Sequence, residues 1–471
     1  MSPALPEPGR FALGTATASY QIEGAFTEDG RGPSIWDVFS QRPGATADGR
    51  DGSVACDSYH RWTEDLDLVA GLGVEYYRFS IAWPRIVPEG RGRVEERGLD
   101  YYDRLVDGML ERGLVPSATL FHWDLPQALE DEGGWLVRST PEAFAEYADV
   151  VAQRLVDRVG LWATHNEPWC AAYLGYAAGV HAPGRQEGGA AHRAAHHLNL
   201  GHALAAERLR AAGAEAVGIV LNLAPIWPER EEAREVSAGI DAIRNAVWLD
   251  PLVDGAYGEQ LLSVAPELAD PELVQTGDLD RIQGSVDWLG VNYYTPVRPD
   301  VALADAAPHP EGGAYPGVAP FDLVVREPRT DIGWEIEPAG LTDVLTTTWE
   351  RVGVPIIVTE NGAACVDEVA PVAEGEAPTY AVDDQDRIDY LRGHLAAVND
   401  ARRAGADVRA YFVWTLLDNF EWAEGYTKTF GLVHVASEDQ TRTPKASYRW
   451  VAAHADDLRE AARVAGAAVS P

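Results

Sequence analysis

Lysine is almost absent from this chain of 471 residues, which contains only Lys428 and Lys445. Basic side chains number 38 in total against 74 acidic ones, and the formal net charge is −36. Nucleic acids and anionic membrane surfaces bind proteins through clustered positive charge. The composition therefore argues against both classes of partner.

Cysteine is also scarce: Cys56, Cys170 and Cys365 are widely spaced. An odd number at such spacing argues against a disulfide framework or a zinc knuckle, and we expect small buried thiols. Cys170 follows closely on Glu167 and is a candidate to line a site. No apolar run approaches ~18 residues, so no membrane-spanning helix is expected. The first residues lack the basic and apolar regions of a signal peptide, and we expect a cytoplasmic protein.

Eight short runs of apolar or β-branched residues predict β-strands. They are Phe11–Thr17, Tyr76–Trp83, Val115–Phe121, Leu161–Glu167, Val217–Asn222, Asp287–Tyr294, Pro355–Glu360 and Val408–Leu416. Helical periodicity fills the intervals, for example at Tyr59–Ala70, Leu99–Arg112, Thr140–Val159, Ala190–Ala212, Gly340–Val352 and Asp386–Ala404. An eightfold alternation of strand and helix predicts an α/β fold of the (β/α)8 TIM barrel type. No Ser/Gly linker divides the chain, so we expect a single domain over residues 1–471.

Two segments after the sixth and seventh predicted strands, about 301–331 and 363–384, have loop composition. In a barrel such loops rise from the C-terminal face, where active sites lie, and we predict that they wall a substrate funnel. Thr140 before Pro141 predicts a helix N-cap. Glycines follow four predicted helices, where a left-handed residue is common: Gly113, Gly160, Gly353 and Gly405.

Two predicted strands end in glutamate, at Glu167 and Glu360. A strand that stops at a carboxylate directs it toward whatever lies above the sheet. Two facing carboxylates are what cleavage of a glycosidic bond requires. The pair therefore indicates a glycosidase.

Polar and aromatic residues also collect where the predicted strands end. Sugar hydroxyls need acceptors and donors such as Gln, Asn, His and Glu, and the C–H face of a sugar stacks on tryptophan. The residues in question are Ser19–Gly24, Arg78, Phe121–Asp124, Asn166–Glu167, Asn292–Tyr294, Glu360–Asn361, Trp414 and Leu417–Trp422. A core alone would not need so many polar groups at one end of a sheet.

Several long motifs, in this order along the chain, resemble glycoside hydrolase family 1. They are Phe11–Gly24, Tyr77–Pro84, Thr164-His-Asn-Glu-Pro168, Val358-Thr-Glu-Asn-Gly362 and Leu417-Asp-Asn-Phe-Glu-Trp422. The resemblance runs from about residue 10 to about residue 453. It implies a retaining, exo-acting β-glucosidase that needs no cofactor and acts on small β-glucosides or cello-oligosaccharides.

The resemblance implies that Glu167 is the general acid/base and Glu360 the nucleophile, with carboxyl groups about 5–5.5 Å apart. Arg78 and Tyr294 would hydrogen-bond Glu360 and favour its charged form. An asparagine beside Glu167 and the charge of Glu360 opposite would keep Glu167 protonated.

The same resemblance implies a sugar-binding set, and Asn292 would support the acid/base. The set is Gln21, His122, Trp123, Asn166, Trp334, Trp414, Glu421, Trp422 and Phe430. Trp334 would stack under the aglycone, with plain packing as the alternative reading. Glu421 would bridge the 4- and 6-hydroxyls, an arrangement that tolerates glucose, galactose and often fucose.

Three other functions compete with hydrolysis of a plain glucoside. A subset of the family cleaves 6-phosphoglycosides with a serine, a lysine and a tyrosine; Lys428 is present here, but Glu421 and Phe430 occupy the other two positions. A carboxylate would repel a phosphate, which disfavours that function. A sugar-binding barrel without catalysis is disfavoured by the presence of both glutamates. Transglycosylation stays open.

A metal site is a further alternative. His192 and His196 have i, i+4 spacing in a predicted helix, but the glutamate that follows the first histidine in metalloproteases is missing. We expect these histidines, with His197 and His202, to pack the helix.

Overall fold

The computed structural model describes residues 5–302, 310–371 and 380–467. Eight parallel strands close into a barrel in which each pairs with its neighbours along the chain and the last pairs with the first. They are β1 (Ala12–Ala16), β2 (Tyr76–Ser80), β3 (Val115–Phe121), β4 (Leu161–Asn166), β5 (Val217–Leu221), β6 (Trp288–Asn292), β7 (Ile356–Asn361) and β8 (Val408–Trp414). The predicted (β/α)8 barrel is confirmed.

The barrel strands are buried along almost their whole length, because helices cover one face and side chains fill the other. Large residues such as Tyr76, Trp288 and Phe412 occupy the interior together with Leu161 and Ile357. Space for them depends on glycine at neighbouring positions. A Cβ built on Gly218 would lie 2.6 Å from the Trp288 ring.

Helices alternate with the strands. The α-helices are Ser19–Ile22, Ile35–Phe39, Ser58–Gly71, Trp83–Ile86, Glu96–Glu111, Gln127–Asp131, Ser139–Leu155, Ala191–Ala212, Arg234–Asp241, Val247–Asp254, Glu259–Val264, Asp278–Ile282, Pro338–Val352, Gln385–Arg403 and Ala446–Ala467. The 3-10 or π segments are Gly134–Leu136, Cys170–Ala178, Gly188–Ala190, Glu231–Ala233, Ala242–Ala246, Pro266–Ala269, Pro310–Ala314 and Trp422–Glu424. None of the helices in these described ranges is long and apolar enough to cross a membrane.

Two predictions about helix ends were wrong. The Thr140 N-cap is not formed, because the helix already begins at Ser139 and the Thr140 hydroxyl donates to the Gly134 carbonyl at 2.6 Å. Gly160 has no positive φ and lies five residues beyond the helix end at Leu155. The other three glycines, Gly113, Gly353 and Gly405, do have positive φ.

The loops above the barrel carry three small antiparallel pairs. They are Pro299–Val301 with Phe321–Leu323, Glu368–Pro371 with Tyr380–Asp383, and Val433–Val435 with Arg442–Pro444. The first two lie in the segments predicted to wall a funnel. Residues 303–309 and 372–379 of those segments lie outside the described residues.

Candidate active site

The two glutamates lie at the carboxyl end of the barrel, as their positions in the sequence predict. Glu360 belongs to β7, and Glu167 follows β4 directly. Both are buried. Arg78 is in β2 and Asn292 ends β6, so four different strands bring their side chains to one place.

Glu360 is held by two donors. Arg78 Nη1 donates to Oε1 at 2.6 Å, and the Tyr294 hydroxyl donates to Oε2 at 2.7 Å. Arg78 is itself fixed, because its Nε donates to Thr119 Oγ1 at 3.1 Å. These are the contacts that the sequence led us to expect for Arg78 and Tyr294.

Glu167 has different partners and an unusual backbone. Asn292 Nδ2 donates to its Oε1 at 2.7 Å, and the Cys170 thiol donates to its Oε2 at 3.2 Å. Its φ is 44°, in the left-handed region that is unfavourable for a residue with a Cβ. The β4–β5 ladder is irregular between Ala163 and Asn166, just before this turn. Such irregularities are common beside active sites, where they redirect a side chain.

Asn166 joins the two halves of the site. Its Oδ1 accepts from Arg78 Nη2 at 2.8 Å and from Asn292 Nδ2 at 3.0 Å. Thr359 Oγ1 donates to Asn292 Oδ1 at 2.7 Å and so fixes the Asn292 amide. One hydrogen-bond network therefore connects Glu167 to Glu360.

Burial raises the pKa of both carboxyl groups. For Glu360, the charge of Arg78 opposes this rise and the charge of Glu167 adds to it. For Glu167, the donors Asn292 and Cys170 lower the pKa, but burial outweighs them. The expectation that a neighbouring asparagine keeps Glu167 protonated was therefore wrong. Asn292 favours the charged form, and it is burial that favours the neutral one.

A third carboxyl, Glu421, lies close to the pair. Burial, followed by the charges of Glu360 and Glu167, raises its pKa to about 8. Gln21 Nε2 donates to Glu421 Oε2 at 3.3 Å, to Asn419 Oδ1 at 3.0 Å and to the Phe420 carbonyl at 2.9 Å. Among the described residues, Gln21 Oε1 has no hydrogen-bond partner although it is buried.

His122 also offers one unused polar atom. Arg78 fixes the Asn166 amide so that its Nδ2 donates to His122 Nε2 at 2.9 Å. Nδ1 then carries the ring proton, and no described residue accepts it. Burial, assisted by the Arg78 charge, places the His122 pKa well below its usual range, so the ring is neutral.

Three predicted tryptophans form an aromatic wall around these groups. His122 stacks with both Trp414 and Trp422 at 5.9 Å between ring centroids. Trp123 lies 4.5 Å from Trp422 and donates its Nε1 hydrogen to the Asn166 carbonyl at 2.8 Å. Like Glu167, Trp123 and Trp422 have positive φ, of 75° and 51°.

Trp334 and Phe430 lie beside Tyr294. The Trp334 ring is 5.2 Å from Tyr294 and 6.1 Å from Phe430, and it is only partly buried. The next residue, Glu335, forms a buried, forked ion pair with Arg298 whose shortest contact is 2.7 Å. That pair fixes the turn that carries Trp334.

Sequence reasoning missed several residues that shape this site. Asn419 lies inside the Leu417–Trp422 motif, so its position was a usable signal. Arg244 had no signal in the sequence. Its guanidinium lies 4.0 Å over the Trp169 ring, and its charge lowers the Glu167 pKa. The Arg298–Glu335 pair likewise joins two loops with no shared pattern.

Two other groups of residues have structural partners. In the helix Ala191–Ala212, His192 contacts Tyr173, His196 contacts Asp278, His197 contacts the Trp135 carbonyl and His202 contacts Thr164. No cluster of three or more His, Cys, Asp or Glu suited to a metal occurs in the described ranges. Lys428 Nζ donates to the Asp331 carbonyl and to its Oδ2, both at 2.9 Å.

The whole chain is similar to known glycosidases. A model of glycosyl hydrolase family 1 matches residues 5–457. A bifunctional β-D-glucosidase/β-D-fucosidase of Bifidobacterium breve is 47% identical over 94% of this chain and 96% of its own. A β-glucosidase of an Agrobacterium species is 45% identical over 95% of this chain and 94% of its own.

Solved structures agree with these relatives. A psychrophilic β-glucosidase from Micrococcus antarcticus superposes with a TM-score of 0.89 at 43% identity, covering 96% of this chain and 98% of that one. A β-glucosidase from Thermotoga maritima, solved in complex with deoxynojirimycin, gives a TM-score of 0.86 at 40% identity, covering 96% and 99%.

Proposed function

The chain belongs to glycosyl hydrolase family 1, and from this membership and the geometry of the site we propose that it is a retaining, exo-acting β-glucosidase. One observation carries the proposal: a single buried network joins two carboxyl groups that have unequal donors. Glu360 has a guanidinium and a phenol, whereas Glu167 has an amide and a weak thiol donor. The negative charge is therefore favoured on Glu360, and the proton of the pair lies on Glu167.

In the first step Glu360 attacks the anomeric carbon. The glycosidic C–O bond breaks, and the Glu167 proton passes to the leaving oxygen, which departs as an alcohol. Tyr294 and Arg78 hold the carboxylate of Glu360 in place for the attack. The product is a glucosyl ester on Glu360.

In the second step a water molecule replaces the aglycone. Esterification has removed the charge of Glu360, and a like charge nearby raises the pKa of a carboxyl group. The Glu167 pKa therefore falls, and Glu167 takes a proton from water as the water attacks the ester. Two inversions at the anomeric carbon give a β-configured product.

The sugar is recognised by the unused polar atoms of the site. Gln21 Oε1 accepts from a hydroxyl, and His122 Nδ1 donates to one. Trp414 and Trp422 supply aromatic faces, and Glu421 takes the 4- and 6-hydroxyls. A site of this kind also admits β-fucosides, and the Bifidobacterium breve relative has both activities in its name.

Hydrolysis followed by NMR tests the proposal. With nitrophenyl β-glucoside we expect β-glucose to appear first and mutarotate afterwards. From cello-oligosaccharides we expect glucose to be released one unit at a time. First appearance of α-glucose would contradict the double displacement, and random internal cleavage would contradict the exo mode.

A 6-phosphorylated sugar is expected to be a poor substrate. Lys428 is already paired with Asp331, and Glu421 supplies no positive charge to hold a phosphate and repels it when ionised. We expect kcat/KM for nitrophenyl β-glucoside to exceed that for its 6-phosphate by about 100-fold or more, as unpaired buried charge is costly. Preferential cleavage of the phosphorylated substrate would contradict the proposal that Glu421 binds the 4- and 6-hydroxyls.

The Cys170 thiol gives a prediction for pH dependence. Its hydrogen bond lowers the Glu167 pKa, so Cys170→Ala should raise that pKa. Activity requires protonated Glu167 and is lost as pH rises through its pKa, so the basic limb of the kcat/KM profile should move to higher pH. Cys365→Ala, which removes a thiol bonded elsewhere, is the matched control. If the basic limb does not move in Cys170→Ala, the thiol does not lower the Glu167 pKa and the prediction is wrong.

A further inference from the structure

The two lysines of this chain both bind the same loop. The segment 417–431 is here called the glycone loop. Lys428 belongs to this loop and Lys445 lies under it, whereas the other residues in the Lys+Arg count are all arginine. This loop carries Glu421, Trp422 and Phe430, three residues of the predicted sugar-binding set. Both lysines thus lie where the loop is anchored.

Lys445 lies under the base of the glycone loop and is completely buried. Its ammonium donates to Asp418 Oδ1 at 2.7 Å and to Asp367 Oδ2 at 2.5 Å. Asp418 Oδ1 also accepts from the Gly431 amide at 2.9 Å, so this carboxylate joins the two ends of the loop. Lys445 therefore ties the closed base of the loop to Asp367, in the segment that follows β7.

A second anchor holds the loop farther along. Lys428 donates to Asp331, which lies three residues before Trp334. The glycone loop is therefore tied on one side to the segment after β7 and on the other to the segment that carries the predicted aglycone tryptophan.

The chemistry of the Lys445 site suits a lysine. An ammonium is a compact charge with three donors that point in different directions, so it can lie between two carboxylates from different segments. The guanidinium of the neighbouring Arg387 contacts Asp367 and Asp384, so Lys445 and Arg387 share Asp367. Without Lys445, Asp418 would keep the Gly431 amide and a contact with His434 at 3.4 Å, and Asp367 would keep Arg387.

We propose that Lys445 is a positioning residue for substrate specificity: by fixing the base of the glycone loop it places Glu421 for the 6-hydroxyl of the sugar. This rests on the proposed function and deepens it. The geometry runs from Lys445 through Asp418 to Glu421, three residues farther along the loop and hydrogen-bonded to Gln21. A substrate without a 6-hydroxyl depends less on that placement.

The test compares nitrophenyl β-glucoside with nitrophenyl 6-deoxy-β-glucoside, because these two substrates differ only in the 6-hydroxyl. In Lys445→Met we expect the ratio of kcat/KM for nitrophenyl β-glucoside to that for nitrophenyl 6-deoxy-β-glucoside to fall by about tenfold, mainly through KM for the glucoside. Glu421→Gln should change the ratio in the same direction. Arg138→Met is the matched control, because it removes a cation from the buried Asp278, whose other bonds are to His196 and the Gln275 amide, and it should leave the ratio unchanged.

An equal loss on both substrates in Lys445→Met would overturn the proposal and leave a purely structural role. If Lys445→Met does not fold, Asp367→Asn weakens the same anchor without changing side-chain shape, and it must lower the ratio or the proposal fails. The wild-type assay separates this from the proposed function: a wild type inactive on both glycosides refutes the glucosidase assignment itself.

Discussion

Glu360→Ala is expected to lose turnover of β-glucosides by a factor on the order of 10⁵ or more, the size of loss seen when a nucleophile is removed. No other carboxylate can replace it, because Arg78 and Tyr294 both point at the Glu360 position. Added azide or formate should restore cleavage of activated aryl glucosides by entering the space that the side chain leaves. With azide the isolated product should be the α-glucosyl azide, since a single displacement inverts the anomeric carbon.

Glu360→Gln is the control for that rescue. It keeps the volume of the side chain, so azide has no room to enter and no rescue is expected. Activity of Glu360→Ala close to wild type would show that another group is the nucleophile. A β-configured azide product from this variant would exclude attack from the Glu360 side.

Strand positions could be predicted from the sequence because burial on both faces of a parallel barrel leaves short apolar runs bounded by turns. β3 runs from Val115 to Phe121, as predicted, and the other strands differ by a few residues at their ends. The largest difference is at β2, which ends at Ser80, because Trp83 begins a helix and packs against Tyr147 at 5.1 Å. Strand propensity alone does not show where a strand such as β2 ends.

The centre of the site was predictable for the same reason. Carboxyl ends of parallel strands meet at one end of a barrel, so polar residues placed there converge whatever their separation in sequence. Arg78 and Glu360, 282 residues apart, form a 2.6 Å contact. The ion pairs that hold the loops of the site were not predictable. Arg298 with Glu335 and Lys445 with Asp418 join loops, and the course of a loop leaves no periodic pattern in the sequence.

The buried carboxyl pair, with Glu167 held in a strained backbone conformation, argues for catalysis over passive sugar binding. Glu167, Trp123 and Trp422 all have positive φ, which costs of order 1–3 kcal/mol per residue and persists where the surroundings enforce it. A barrel that only bound sugar would need the tryptophans but not a buried pair of carboxyl groups whose pKa values are raised by burial. Water and an acceptor sugar would meet the same glucosyl ester, so hydrolysis and transglycosylation share the first step.

Glu167→Ala is expected to separate the two half-reactions. Glucosides with poor leaving groups should lose about 10²–10⁴-fold in kcat/KM, the usual contribution of a general acid. Activated dinitrophenyl glucosides need no proton on the leaving oxygen, so they should still form the ester on Glu360. Release of that ester needs Glu167 as base, so the glucosyl-enzyme should accumulate and be visible as a mass increase.

Azide should react with this accumulated ester because it is a nucleophile that needs no base. A second displacement then gives the β-glucosyl azide, opposite in configuration to the product from Glu360→Ala. The basic limb of the kcat/KM profile for glucosides with poor leaving groups should also vanish, since it reports the loss of the Glu167 proton. An α-configured azide from Glu167→Ala, or an unchanged basic limb, would assign the acid/base role to another residue. The two azide products together fix which carboxyl acts on which face of the sugar, because each variant removes one of the two displacements and leaves the other.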